Sequence, residues 1–153
     1  MRAEYINPFY QATQDVFKVM LSLPIERQGL RVVDELEPVH ELNVVIGVTG
    51  DLKGSLLYSF PKAMALEMVH IMSGMKMEKL DAFVTSAMAE VANIISGNAA
   101  TYFAKNGFSC NIAPPQIIVG ESGTVAMTAE QGIVLPLKTD VGTLEITVSL
   151  HKA

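Results

Sequence analysis

Two polar residues on one long helical stretch carry the most chemical promise in this sequence. Glu90 and Asn93 lie three positions apart, so on a helix their side chains are surface neighbours, roughly 5–6 Å apart between Cβ atoms. At about 100° per residue, a wheel of residues 80–105 sets Val84, Met88, Val91, Ile95 and Tyr102 on one side, with Ala99 beside them. That stripe is the expected core face. Ser86, Glu90, Asn93, Gly97 and Ala104 fall opposite. Gly97 costs a helix roughly 1 kcal/mol relative to Ala, and close approach of another surface could offset that cost. Read from the residues alone, this face is either a docking site with two polar tips or an ordinary solvated helix face. Asn98 falls near the core side and is expected to satisfy a backbone group.

Other chemistry has little support. His40, His70 and His151 sit in different elements, with no Cys, His or carboxylate at metal-ligand spacing. His70 follows Glu67 by three residues, an ordinary surface pair. Cys110 lies in a strand-like stretch without a neighbouring His, which suits a small core residue better than a nucleophile. No Walker motif, no G-x-G-x-x-G and no G-x-S-x-G occurs. Gly47 to Gly54 is glycine-rich, but it separates two strand-like runs and reads as a hairpin rather than a phosphate cradle. Met64, Met68, Met72, Met75, Met77 and Met88 are expected as gap-filling core.

The elements that must hold Glu90 and Asn93 follow from periodicity and punctuation. Asn7 is expected to cap a first helix with Pro8 at its first position, running through Phe9, Ala12, Val16, Phe17 and Met20 until Pro24. A strand follows from about Leu30 to Leu36. A hairpin pairs Leu42–Thr49 with Ser55–Phe60 across a turn at Gly50–Gly54. Pro61 opens a second helix, closed by Gly74. The third helix spans about Leu80 to Lys105, ~37 Å at 1.5 Å per residue, and stops at Asn106-Gly107. Strands are expected over 109–113, 116–120, 124–127, 132–138 and 142–151, the last with Leu144, Ile146, Val148 and Leu150 on one face. The order predicts an α+β fold with three helices on a largely antiparallel sheet. Residues 1–153 read as a single domain.

Composition narrows the class. Charged residues are 18% and hydrophobic residues 50%, against a usual charged share of roughly 25%, which excludes a disordered chain. The net charge of −5 offers no electrostatic footprint for nucleic acid or an anionic membrane. One cysteine, no apolar leader segment and no membrane-length apolar run predict a cytoplasmic protein.

Ala89-Glu90-Val91-Ala92-Asn93-Ile94-Ile95-Ser96-Gly97-Asn98-Ala99 resembles the signature helix of the CheC/CheX/FliY family of chemotaxis phosphatases, whose motif is E-x-x-N. Ile6-Asn7-Pro8-Phe9 and Gly47-Val48-Thr49-Gly50-Asp51-Leu52-Lys53-Gly54-Ser55 also resemble CheX-type members, and the likeness spans most of the chain in order and length. Glu4-Tyr5-Ile6-Asn7 matches the same tetrapeptide but precedes the first helix. That helix, Pro8 to Leu21, contains no Glu, so the chain resembles the one-site CheX type rather than two-site CheC.

The resemblance implies a CheC-like fold and, as substrate, the aspartyl phosphate of a CheY-like response regulator in chemotaxis or another two-component pathway. Asn93 would orient a water for in-line attack, and Glu90 would pair with the receiver's active-site Lys. Ser86 and Gly97 would let the receiver approach. The chain would need no cofactor of its own, because the receiver supplies Mg²⁺. A homodimer is also expected, since some CheX proteins join sheets edge to edge. Two alternatives stay open: a non-catalytic module that binds a receiver or a flagellar switch component, and a ligand-binding domain.

Overall fold

The computed structural model of the chain describes residues 3–120 and 131–153. Among these, the helices are α1 (Asn7–Leu21), α2 (Lys62–Ser73) and α3 (Ala82–Lys105). The strands are β1 (Glu26–Arg27), β2 (Arg31–Val33), β3 (Leu42–Gly50), β4 (Leu52–Phe60), β5 (Cys110–Ile112), β6 (Gln116–Val119), β7 (Gly132–Thr139) and β8 (Gly142–Lys152). They form one sheet in the order β1-β7-β8-β4-β3-β5, with β2 also on β7 and β6 also on β3. Every pairing is antiparallel. The expected α+β architecture is the one observed. The strand expected over 124–127 lies outside the described residues.

Alternation along the long strands builds the core. Val44, Ile46 and Val48, Leu56, Tyr58 and Phe60, and Leu144, Ile146, Val148 and Leu150 join the buried faces of all three helices in one cluster. Val45 and Leu57 belong to a second, smaller cluster on the other face, with Leu36 and Ile118 packed there. Beside it, the polar face of β8 is partly covered. Ser149 is buried and donates to the Gln131 carbonyl at 2.9 Å, and Glu145 is paired with Arg31.

Local chemistry departs from the sequence expectations at both ends of α1. Asn7 does not cap α1. A 3-10 turn at Ala3–Tyr5 runs directly into the helix, Ile6 already has helical dihedrals, and Asn7 is the first helical residue. The Asn7 side chain instead accepts from Arg27 at 3.0 Å. The helix stops before Pro24, because Ser22 turns left-handed (φ 54°) and Leu23 N–H returns to the Phe17 carbonyl at 3.2 Å. The β3–β4 turn has the expected five-residue length, shifted by one: mutual pairing ends at Val48 and Gly54, while Gly50 and Leu52 pair outward with Cys110 of β5 and Lys152 of β8. Within it, Asp51 N–H donates to the Ser109 carbonyl at 2.8 Å and its carboxylate accepts from Ser109 N–H at 2.7 Å. Gly54 is needed there: a Cβ on it would lie 1.8 Å from the Ser149 carbonyl oxygen of the neighbouring strand. The glycines of this stretch serve sheet packing and leave no phosphate cradle.

Candidate functional site

The helix that carries Glu90 and Asn93 is anchored at its start, its middle and its end. Asp81 caps it, its Oδ1 accepting from Val84 N–H at 3.0 Å. The sequence reading had not singled out that cap. In the middle, Ser96 is fully buried and donates to the Ala92 carbonyl at 2.8 Å. That uses its one proton, so the Tyr58 hydroxyl, 2.7 Å away on β4, is the donor of the second bond. Burial holds the Tyr58 phenol above its ordinary pKa, and the Ser96 contact offsets only part of that. This bond ties the buried face of α3 to β4.

Near the end, aromatic packing does the anchoring. Phe103 meets Phe9 and Tyr5 edge to face at 5.7 and 6.2 Å between centroids. Val84, Met88, Val91, Ile95 and Ala99 are buried as expected. Tyr102 was expected in that stripe, but Phe103 takes the core place. Tyr102 sits at the margin, where its hydroxyl donates to the Asp15 carboxylate on α1, an arrangement that raises the phenol's pKa. Asn98 does not satisfy a backbone group: it is half-buried and its side chain makes no hydrogen bond among the described residues.

With the core stripe turned inward, Ser86, Glu90 and Gly97 are exposed and Asn93 is half-buried at their flank. The structure therefore brings all four expected residues onto one solvent-facing surface. Neither Glu90 nor Asn93 has a side-chain hydrogen bond or ion pair among the described residues. Nothing lies within 4 Å of a Cβ added at Gly97, so packing within the chain does not explain that glycine. Of the 24 residues of α3, only Glu90 and Lys105 carry charge. Phe83, seven positions before Glu90, is exposed on the same stripe. Its seven-residue spacing from Glu90 is the signal in the sequence that places it there.

The face is convex. Depressions lie beside β2, beside the end of α1 and between α1 and the last turns of α3, and Glu90 and Asn93 line none of these. Two solvent-facing polar tips of this kind are placed to reach into a partner surface.

The other candidates are ordinary structure. Tyr5 and Ile6 of the early E-x-x-N match are buried, and Asn7 is bonded to Arg27. His70 Nδ1 lies 3.6 Å from Glu67, the surface pair expected, and His40 Nε2 lies 3.6 Å from Glu145. Burial pushes the Cys110 thiol's pKa up, as does the nearby Asp51 charge, which keeps it protonated. Among the described residues, no group of three His, Cys, Asp or Glu could hold a metal ion, and no helix is long and apolar enough to cross a membrane.

The family model for the chemotaxis phosphatase CheX matches residues 42–138, a span that includes the β3–β4 hairpin and most of the sheet and contains both Glu90 and Asn93. The chain belongs to this family. The CheY-P phosphatase CheX of Thermotoga maritima is 30% identical over 142 residues, which is 92% of this chain and 90% of that protein. Among solved structures, a CheC-like superfamily protein from Shewanella sp. PV-4 is similar throughout, with a TM-score of 0.88, 27% identity and 99% of each chain covered. The fold is also that of a Borrelia burgdorferi CheX solved as a CheX–CheY–BeF₃–Mg²⁺ complex, with a TM-score of 0.77, 24% identity, and 99% of this chain and 100% of that one covered. The resemblance of the α3 motif to CheX-type chains thus extends over nearly the whole chain.

Proposed function

We propose that this CheX-family chain, one domain over residues 1–153, dephosphorylates the aspartyl phosphate of a CheY-type response regulator, with Glu90 and Asn93 as the working pair. One observation carries this assignment: in a chain of this family, a carboxylate and a carboxamide stand unbonded on a helix face almost without other charge. The roles follow from what phosphoryl transfer demands, which is mainly positioning and charge stabilisation. The Asn93 amide holds a water in line with the phosphorus. The water oxygen attacks, the P–O bond to the aspartyl side chain breaks, and that side chain leaves as a carboxylate with inorganic phosphate as product. An uncharged amide suits this place because a carboxylate would be repelled by the phosphoryl oxygens. Glu90 pairs with a lysine of the receiver and sets the register of docking. Ser86 and Gly97 keep the approach low.

The chain supplies no cofactor under this proposal. Mg²⁺ comes with the receiver, and the Borrelia burgdorferi complex, which contains CheY, BeF₃ and Mg²⁺ with a CheX, supports that arrangement. The proposal also includes a homodimer joined at sheet edges, for which β6, with Ile117 and Val119 exposed beside β3, is a suitable edge, and a cytoplasmic setting. Sedimentation at micromolar concentration tests the dimer.

The deciding experiment follows the decay of a phosphorylated CheY receiver in Mg²⁺ with substoichiometric wild type or Asn93→Ala. Acceleration by wild type and its loss in Asn93→Ala is the expected result. Binding of the receiver with equal decay in both would replace the phosphatase by a non-catalytic docking module.

A further inference from the structure

We propose that the receiver-docking face extends two turns toward the start of α3, where Phe83 seats in an apolar depression of the receiver and supplies much of the affinity that Glu90 and Asn93 cannot. This rests on the phosphatase assignment above and names a further binding residue for the same partner. Phe83 is 47% exposed, in the first turn of a helix whose exposed stripe contains a single charge, Glu90, before Lys105 at its end. Seven residues separate Phe83 from Glu90, close to two full turns, so the ring stands on the same side about 10 Å away along the axis. Low charge with an exposed aromatic beside the polar pair is the composition of an interface, not of a solvated helix face.

Geometry selects the occupant. Even a small transient interface buries about 600 Å² per partner, equivalent to a disc about 14 Å in radius. A receiver centred on Glu90 and Asn93 therefore covers Phe83. A second copy of this chain seated on Phe83 would cover Glu90 as well and close the site, which makes it the weaker occupant. The receiver surface that meets Phe83 is apolar and lies about 10 Å from the group that pairs with Glu90.

The test uses the full chain with Phe83→Ala, Phe83→Leu and Phe83→Ser. One readout is the affinity for a CheY receiver carrying BeF₃ and Mg²⁺, and the other is kcat and KM for decay of the phosphorylated receiver. Phe83→Ala and Phe83→Ser are expected to raise Kd and KM about ten-fold or more with kcat within about two-fold. Phe83→Leu recovers part of the loss. Because the ring is about half buried, Phe83→Ala and Phe83→Ser lower the thermal midpoint by only a few degrees, and Phe83→Leu by less. Val19→Ser, which removes an 82% exposed apolar residue from α1, serves as control and changes nothing. Unchanged Kd and KM in Phe83→Ser overturn the inference, as does a fall in kcat alone. A changed oligomeric state with Kd for the receiver unchanged would assign Phe83 to a second copy and overturn it too. If Asn93→Ala is as active as wild type on the same receiver, the phosphatase assignment fails. If the two differ while Phe83→Ser is silent, only this extension of the face fails.

Discussion

α1 and α3 pack together, yet they turn different surfaces to solvent. Asp15 and Lys18 on α1 have the same three-residue separation as Glu90 and Asn93 on α3, and both are exposed. On α1, however, the acidic member is committed within the fold, although Lys18, like the α3 pair, has no partner among the described residues. Asp15 accepts from Tyr102, Gln14 donates to the Tyr10 hydroxyl at 3.1 Å, and Asn7 accepts from Arg27. On α3 the corresponding groups have no partner among the described residues, and a glycine with open space above it follows one turn later. Spacing alone therefore does not make a site. What distinguishes α3 is a carboxylate and a carboxamide that are both without a protein partner among the described residues, on a surface otherwise uncharged until Lys105.

The sharpest way to break this contrast is Asn93→Ala. Removing one group that positions or stabilises in the transition state typically costs about 10²–10³ in rate, so kcat should fall by that order with little change in KM or thermal midpoint. Glu90→Ala comes next, because the carboxylate pairs before and during the reaction. A ten-fold or larger loss of kcat/KM is expected, shared between both parameters, and Glu90→Lys should be worse by charge repulsion. Transplanting the motif tests the contrast from the other side. Asp15→Glu with Lys18→Asn creates E-x-x-N on α1, and in an Asn93→Ala background it should leave decay at the Asn93→Ala level. Recovery of activity would show that spacing, not surface, decides.

Gly97→Ala separates stability from function. The helix should gain roughly 1 kcal/mol, because no atom within 4 Å obstructs the new Cβ, while KM for the receiver rises a few-fold. The smallest effect concerns the anchor beneath the site. Tyr58→Phe should cost about 1 kcal/mol in denaturant unfolding, with activity largely retained because Ser96 keeps its bond to Ala92. Burial raises the folded phenol's pKa, so the folded state favours the protonated form. That part of the stability is complete below about pH 10, the ordinary tyrosine value, and is lost as pH rises beyond it. Alkaline unfolding should therefore be shallower in Tyr58→Phe.

Much of this was legible in the residues. Alternating Val, Ile and Leu marked β3, β4, β7 and β8. Pro61 and Gly74 bounded α2, and the period of Val84, Met88, Val91, Ile95 and Ala99 identified the buried stripe of α3 and hence its outward face. The errors have different causes. Met75, expected in the core, is 50% exposed beyond the end of α2, and Asn98 has no structural explanation. Asn7 and Tyr102 are explained by what surrounds them. A 3-10 turn made a cap unnecessary at Asn7, and the aromatic contacts with Phe9 and Tyr5 drew Phe103 inward in place of Tyr102.

The chain's own pattern thus determined the elements, the core faces and the pairing of Glu90 with Asn93, because helical and strand periods are local properties. Three things were decided only by the tertiary structure. The Tyr58–Ser96 bond joins residues 38 positions apart and ties α3 to the sheet. The open space above Gly97 depends on what the other elements leave uncovered. The lack of internal partners for Glu90 and Asn93, while Asp15 is engaged by Tyr102, is settled by which side chains the fold brings within hydrogen-bond reach, and no local period encodes that distance.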